Sequence, residues 1–197
     1  TVQRCYIRDN SSHGVFVDDE ANAFFVNCSI VNSGGDGVRV EKLSGVETVK
    51  ATLQFCTIKD NTGDGVHIAG TADLTAYNTL ITDNGGFGMQ QAAGGTGTIT
   101  LSHNHAVHNT AGDWSIPSPP ATDPDLVSFA GPYYSDDPWI GKLEISGAPN
   151  DAPLAGQGDG SLLPTAAVDF ENNARPANPT IGADEFADSG LLEWTQC

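Results

Sequence analysis

The sequence predicts an all-β protein, a right-handed parallel β-helix (a solenoid) that ends in an irregular C-terminal capping segment. Three observations predict it. A short unit recurs without gaps, beginning at Cys5, Cys28, Cys56, Thr79 and, in degraded form, His105, so one coil takes about 20–30 residues, the scale of solenoid repeats. The composition holds 23 Gly and 11 Pro with abundant Asn, Thr and Ser, which favours short strands joined by tight turns. No window sustains the 3.6-residue apolar period of a helix. At 197 residues the chain is long enough for one domain with a real core.

Each unit reads as strand, polar turn, strand and variable loop. In Cys-x-Ile the first and third residues share a strand face, and in Gly-Val-x-Val the two valines do. Stacking the units places Ile7, Ile30, Ile58, Ile81 and Val107 in one interior ladder. Val15, Val38, Val66 and Met89 form a second, and Val17, Val40, Ile68 and Gln91 a third. The outward residues between them are Phe16, Arg39, His67 and Gln90. Asp9-Asn10, Asp60-Asn61 and Asp83-Asn84 fall at the polar turn, with Asn32-Ser33 and Asn109-Thr110 as equivalents. Asn tolerates left-handed backbone, and its amide can bond the matching Asn one coil away. Gly14, Gly37, Gly65 and Gly88 then let the chain bend back. A β-sandwich also has many short strands, but it does not require one register to recur in successive units; stacked coils do. Residues 1–115 are therefore assigned to the coils, 116–186 to a Pro-, Gly- and Asp-rich coil and cap region, and 187–197 to a tail.

Beyond Ser115 the repeat fades. Val168-Asp-Phe-Glu-Asn-Asn-Ala-Arg-Pro176 is followed closely by Thr180-Ile-Gly-Ala-Asp-Glu-Phe186, and Ala152-Pro-Leu-Ala-Gly-Gln-Gly158 lies upstream. This set resembles the end of bacterial right-handed parallel β-helix surface proteins of the choice-of-anchor Q type. Asn172 stands where that pattern has Gly, and Thr180 where it has Asp. The resemblance implies export and display at the cell surface through a C-terminal anchor, and implies little about chemistry. Within this signature Arg175 is expected to be structural, its planar fork pairing with Asp169 or Glu185 to hold the end segment against the coils. The first residues read like the middle of a strand, so further residues are expected upstream, and the edge of the first coil is expected to be covered by them or by a partner.

Charge narrows the function. Eight Lys+Arg against 25 Asp+Glu give a formal net charge of −17. Nucleic acid and anionic membranes need clustered basic residues and are excluded as main partners. No apolar run is long enough to enter a bilayer directly. A polyanionic substrate would need a bridging cation such as calcium. The acid-rich positions Asp18-Asp19-Glu20, Asp136-Asp137 and Asp159 suit calcium, which wants clustered oxygens, although none has the spacing of a calcium loop. Gly35-Asp36-Gly37 and Gly63-Asp64-Gly65 read as turn chemistry. No cofactor is assigned, and the metal question stays open.

Cys5, Cys28 and Cys56 share one inward position on consecutive coils, which fits a column of buried thiols better than a disulfide or soft-metal site. Cys197 could anchor, carry a lipid, cross-link or mark where the sequence was cut. His103 and His105 fall on one strand face with His108 nearby, a metal pair at most; the alignment puts His105 above Thr79 as a buried, hydrogen-bonded cap. A polysaccharide lyase would need a base and a cationic group, for which only Arg39 and His67 are suitably placed. A glycosidase would need a carboxylate pair that so acidic a chain does not single out. No catalytic residue is assigned. The expectation is a non-catalytic secreted or cell-surface scaffold or adhesin module that meets cell-envelope or extracellular protein partners or copies of itself. The alternative is a carbohydrate-active enzyme (polysaccharide lyase or glycosidase) or a carbohydrate-binding β-helix, with polysaccharide as partner.

Overall fold

A computed structural model describes residues 1–43, 48–117, 135–137, 142–144, 158–162, 168, 172, 174–179 and 181–182. Fifteen strands in the repeat region fall into five successive sets of three. The first coil holds β1 (Val2–Gln3), β2 (Tyr6–Arg8) and β3 (Val15–Val17). The second holds β4 (Asn22–Val26), β5 (Ser29–Val31) and β6 (Val38–Lys42). The third holds β7 (Lys50–Gln54), β8 (Thr57–Lys59) and β9 (Val66–Gly70). The fourth holds β10 (Asp73–Tyr77), β11 (Leu80–Thr82) and β12 (Phe87–Gln91). The fifth holds β13 (Ile99–Ser102), β14 (His105–Val107) and β15 (Gly112–Ser115). Strands of equal rank stack in parallel into three five-stranded sheets: sheet A is β1-β4-β7-β10-β13, sheet B is β2-β5-β8-β11-β14 and sheet C is β3-β6-β9-β12-β15. This is a parallel β-helix, as predicted. Downstream, β16 (Ser135–Asp137) and β17 (Lys142–Glu144) form an antiparallel pair.

The predicted ladders hold through four coils. Ile7, Ile30, Ile58 and Ile81 are in register on sheet B. On sheet C, Val15 stacks under Val38, Val66 and Met89, and Val17 under Val40, Ile68 and Gln91. Of these, Ile30, Ile58, Ile81, Val38, Val66, Val40, Ile68 and Met89 have no solvent exposure. Sheet A completes the triangular core with Val2, Phe25, Leu53, Ala76 and Leu101.

The fifth coil corrects the expected alignment by one residue. Ile81 pairs with Ala106, not Val107, and Leu80 with His105. Asn104, buried without exposure, takes the place of Thr79 and the cysteines; its Oδ1 accepts the Thr79 N–H (3.0 Å) and its amide donates to the Ala76 carbonyl (2.7 Å). A one-residue shift reverses faces in a strand, so Val107 points away from the core that Ala106 fills. The turn shifts with it: His108, not Asn109, is the equivalent of Asp83.

A pair of left-handed residues five positions apart, recurring in every coil, explains this register. They are Arg4 and Asp9, Asn27 and Asn32, Phe55 and Asp60, Asn78 and Asp83, His103 and His108, all with φ between 50° and 59°. Each pair brackets a three-residue strand of sheet B and turns the chain sharply into and out of it. The second left-handed residue precedes the interior asparagines. Asn61, Asn84 and Asn109 stack, the Nδ2 of Asn61 donating to Asn84 Oδ1 and that of Asn84 to Asn109 Oδ1, both at 2.9 Å. Gly37 and Gly65, expected where the chain bends back, are held to glycine by space. Neither has positive φ, but a Cβ on Gly37 would lie 2.5 Å from Ile58 Cγ2, and one on Gly65 2.3 Å from Ile81 Cγ2. Lack of room for a side chain, not left-handed backbone, selects glycine there.

Part of the C-terminal segment lies along the flank. Its described residues follow the corner between sheets A and B: Arg4 donates to Asn172, Asn27 to the Val168 carbonyl, and Asn78 to the Asp159 carbonyl (3.2 Å), while the Gly182 N–H bonds the Asn78 carbonyl (2.8 Å). Asn172 has φ 77°, the left-handed geometry its place in the signature implied. Arg175 is buried in this strap. Its guanidinium lies 4.1 Å over the Phe55 ring and donates to Asn27 Oδ1 (3.0 Å) and the Gly182 carbonyl (3.1 Å). These contacts suit a structural role; the carboxylates expected for it, Asp169 and Glu185, lie outside the described residues, as do residues 118–134, residues 187–197 and Cys197. Strap and corner together bury Val26 and Phe55, a second apolar cluster outside the triangular core.

Candidate functional site

The outer face of sheet C carries the densest set of chemistry-bearing side chains among the described residues. Strand alternation aims Phe16, Arg39, His67 and Gln90 outward in register. At the turn just before each strand stand His13, Asp36 and Asp64. Oδ1 of Asp36 accepts the Asp64 N–H (2.9 Å), Oδ1 of Asp64 accepts the Phe87 N–H (2.7 Å), and Nδ1 of His13 accepts the Asp36 N–H (3.0 Å). These side chains close the backbone bonds of the next coil at or just before the start of its strand. The expectation of turn chemistry for Asp36 and Asp64 is therefore met.

The second oxygen of each aspartate reaches the outward strand residue three positions on. Asp36 Oδ2 lies 3.2 Å from Arg39 Nη1, and Asp64 Oδ2 lies 2.8 Å from His67 Nδ1. Arg39 also binds Glu41 through Nη2 at 2.6 Å and Nε at 2.7 Å. Burial works against the Arg39 charge, but its bonds to Glu41 and Asp36 outweigh that and hold its pKa above the usual value. Phe16 is 53% exposed and its ring centroid lies 5.9 Å from that of His13. Arg39 and His67 do sit on adjacent coils, as expected, yet each is held by its own carboxylate. Sequence reading missed this pairing. The signal was there in two units of identical spacing, Asp36-Gly-Val-Arg39 and Asp64-Gly-Val-His67.

The histidines of the last coil do not converge. His103 and His108 occupy the two left-handed corners that flank β14, while His105 is buried at the outward Leu80 position of sheet B instead of the inward position expected for it. His103 Nδ1 bonds Ser102 Oγ at 2.7 Å, and His108 Nδ1 lies 3.9 Å from Asp83 Oδ1. Among the described residues, the group of three His, Cys, Asp or Glu whose ligand atoms all lie within 4.8 Å of one another is Asp36, Asp64 and His67.

The cysteine column faces inward as predicted. Cys5, Cys28 and Cys56 carry free thiols that contact the core. Each Sγ points to the carbonyl two residues back, at 3.3, 3.4 and 3.5 Å, and Thr79 continues the pattern with Oγ1 3.1 Å from the Tyr77 carbonyl. Burial, then the neighbouring Cys28, pushes the Cys56 thiol well above its usual pKa, so it behaves as a small apolar group.

Of the acid-rich positions, Asp18 and Asp19 line a cavity of about 180 Å³ with Glu41, Lys42 and Leu43. Lys42 is buried there and brings a nitrogen, not an oxygen, so the pocket is not an all-oxygen calcium cage. Asp159 instead caps the strap: it accepts the Ser161 N–H at 2.9 Å, and its bonds to Ser161 hold its carboxyl below the usual range. Asp136 and Asp137 lie in β16, opposite Leu143 and Lys142.

A family model described as "Right handed beta helix region" matches residues 1–116. No curated protein and no solved structure matches the chain.

Proposed function

The chain belongs to the right-handed β-helix family, and from that premise we propose that it is a non-catalytic scaffold or adhesin module, secreted or displayed at the cell surface, that works by presenting its faces to extracellular or cell-envelope protein partners. One observation carries the reading. The ionisable groups on the outer face of sheet C are bonded to one another: Asp36 and Glu41 to Arg39, Asp64 to His67, and the two aspartates to backbone amides of the next coil. A base intended for proton abstraction must meet substrate, and a cation intended for a sugar carboxylate must be open to it. Here those groups stiffen the solenoid. The net charge of −17 keeps such a rod soluble and repels polyanions. Among the described residues no helix is long and apolar enough to cross a membrane.

A second reading, a carbohydrate-binding or carbohydrate-active β-helix, rests on Phe16. Its ring is half exposed on the ladder that carries Arg39 and His67, and an exposed aromatic face is a platform on which sugar rings stack.

Two measurements separate the readings. Purified chain is incubated with polyuronates and with neutral polysaccharides, and new reducing ends and unsaturated products are followed. In parallel, whole cells making the full polypeptide are treated with protease and probed for its loss. The scaffold reading expects no turnover and removal from intact cells. Turnover that disappears in His67→Ala, or full protection from protease in intact cells, would overturn it; saccharide binding lost in Phe16→Ala without turnover supports the second reading in its binding form.

A further inference from the structure

We propose that Asp36, Asp64 and His67 form a binding site for one divalent cation of the zinc type, held across the second and third coils on the outer edge of sheet C. The three offer Asp36 and Asp64 carboxylate oxygens and His67 Nδ1, all within 4.8 Å of one another. Asp64 Oδ2 and His67 Nδ1 are already 2.8 Å apart, close to the separation of about 3 Å that two ligand atoms adopt around one small ion.

The carboxylates are oriented in the way metal ligands require. Asp36 and Asp64 each commit Oδ1 to a backbone N–H of the next coil, which fixes the side chain and turns Oδ2 outward, toward Arg39 in one and His67 in the other. His67 is fixed in turn by its place on the outward ladder between Arg39 and Gln90. His13, the remaining imidazole at this corner, spends Nδ1 on the Asp36 N–H and is not a ligand.

Charge supplies the independent argument. Asp36 and Asp64 are like charges stacked one coil apart, with side chains only 11% exposed. Arg39 touches Asp36, but two of its nitrogens bind Glu41, so Arg39 and Glu41 balance each other. Two negative charges remain. Two partly buried carboxylates side by side repel each other, and a single divalent ion offsets both. Asp36 Oδ2 keeps a lone pair for it beside the Arg39 contact. The imidazole nitrogen and the small number of ligands favour zinc over calcium, which takes six to eight oxygens. The competitor is a plain hydrogen-bonded pair of Asp64 and His67.

The test uses the whole chain, freed of metal, and zinc alone as probe. Calorimetric titration is expected to show one saturable zinc per chain that calcium does not displace. His67→Gln and Asp64→Asn are each expected to weaken it by more than about tenfold, the loss that even outer partners of a metal ligand cause. Asp64→Asn retains the oxygen that accepts the Phe87 N–H, so its fold is preserved, and far-ultraviolet circular dichroism checks this for both variants. Asp18→Asn, at the separate acidic pocket, is expected to leave the affinity unchanged. Cobalt in place of zinc is expected to give visible bands without intense sulfur-to-metal charge transfer. Absence of saturable zinc binding, binding indifferent to both substitutions, or a cobalt spectrum with sulfur charge transfer would each overturn the proposal, the last by placing the metal on cysteine.

Discussion

Replacing Asn84 by Ala tests whether the asparagine column holds the coils in register. The Asn84 side chain has no solvent exposure and joins three coils. Its Oδ1 accepts the Asn61 N–H at 3.1 Å and the Asn61 amide at 2.9 Å, and its Nδ2 donates to Asn109 Oδ1, the Thr82 carbonyl and the Ile58 carbonyl at 2.9, 3.1 and 3.3 Å. Truncation orphans the Asn61 N–H, a buried donor whose loss of partner costs about 1–3 kcal/mol. The Asn61 amide keeps the Ile30 carbonyl, and Asn109 Oδ1 keeps the Asn84 N–H, so those groups are not left bare. The two severed amide–amide bonds add about 1 kcal/mol each, for a total near 4 kcal/mol. In a chain of this size that lowers Tm by about 8–16 °C. Thermal and urea unfolding followed by circular dichroism measure it, with Asn22→Ala at an exposed strand position as a control expected within about 0.5 kcal/mol of the parent. A loss below about 1 kcal/mol for Asn84→Ala would refute the argument that these amides specify the stack.

Four further outcomes are expected. Ser33 occupies the asparagine position of the second coil with its buried hydroxyl unpartnered, so Ser33→Asn is expected to extend the column and gain about 1 kcal/mol; a loss on urea unfolding would show that the space beside Gly14 is too small. Arg175→Ala removes the hydrogen bonds to Asn27 and Gly182 and the stack on Phe55, and limited proteolysis is expected to cut the strap while sheet content is kept, Arg175→Lys rescuing only in part because an ammonium lacks the planar fork; equal resistance of all three proteins would contradict the latch. Alkylation of the native chain mapped by mass spectrometry is expected to reach half-buried Cys5 well before Cys56, whose burial keeps it a thiol, and fast labelling of Cys56 would count against an intact column. Asp159 is expected to titrate by carboxyl NMR below the ordinary aspartate value of 3.8, so its hold on the Ser161 N–H is present at neutral pH and is lost as pH falls through that lowered value; a midpoint at or above 3.8 would show that the cap does not form.

The sequence by itself determined the fold and the register of four coils. Residues that stack on their own equivalents must recur in step, so Ile7, Ile30, Ile58 and Ile81 declared the axis, the spacing and the inward face at once. It also placed Arg39 beside His67 and the cysteines in one column. The fifth coil escaped because its cues conflict: His105-Ala-Val107 imitates Cys-x-Ile, whereas the buried polar position is filled by Asn104, and only the spacing of the left-handed residues His103 and His108 reveals it. What tertiary structure alone decided are contacts that carry no period. Arg175 meets Asn27 across 148 residues and lies over Phe55, a pairing that occurs once and so leaves no repeat to read. The cluster of Asp36, Asp64 and His67 stands between the two cases: the aspartates recur at one repeat position, but His67 replaces the Arg39 of the coil before, so only the folded corner shows which groups meet. Periodic packing writes itself into a sequence many times over; a single long-range contact is written once, and its meaning depends on the folded chain that brings its two ends together.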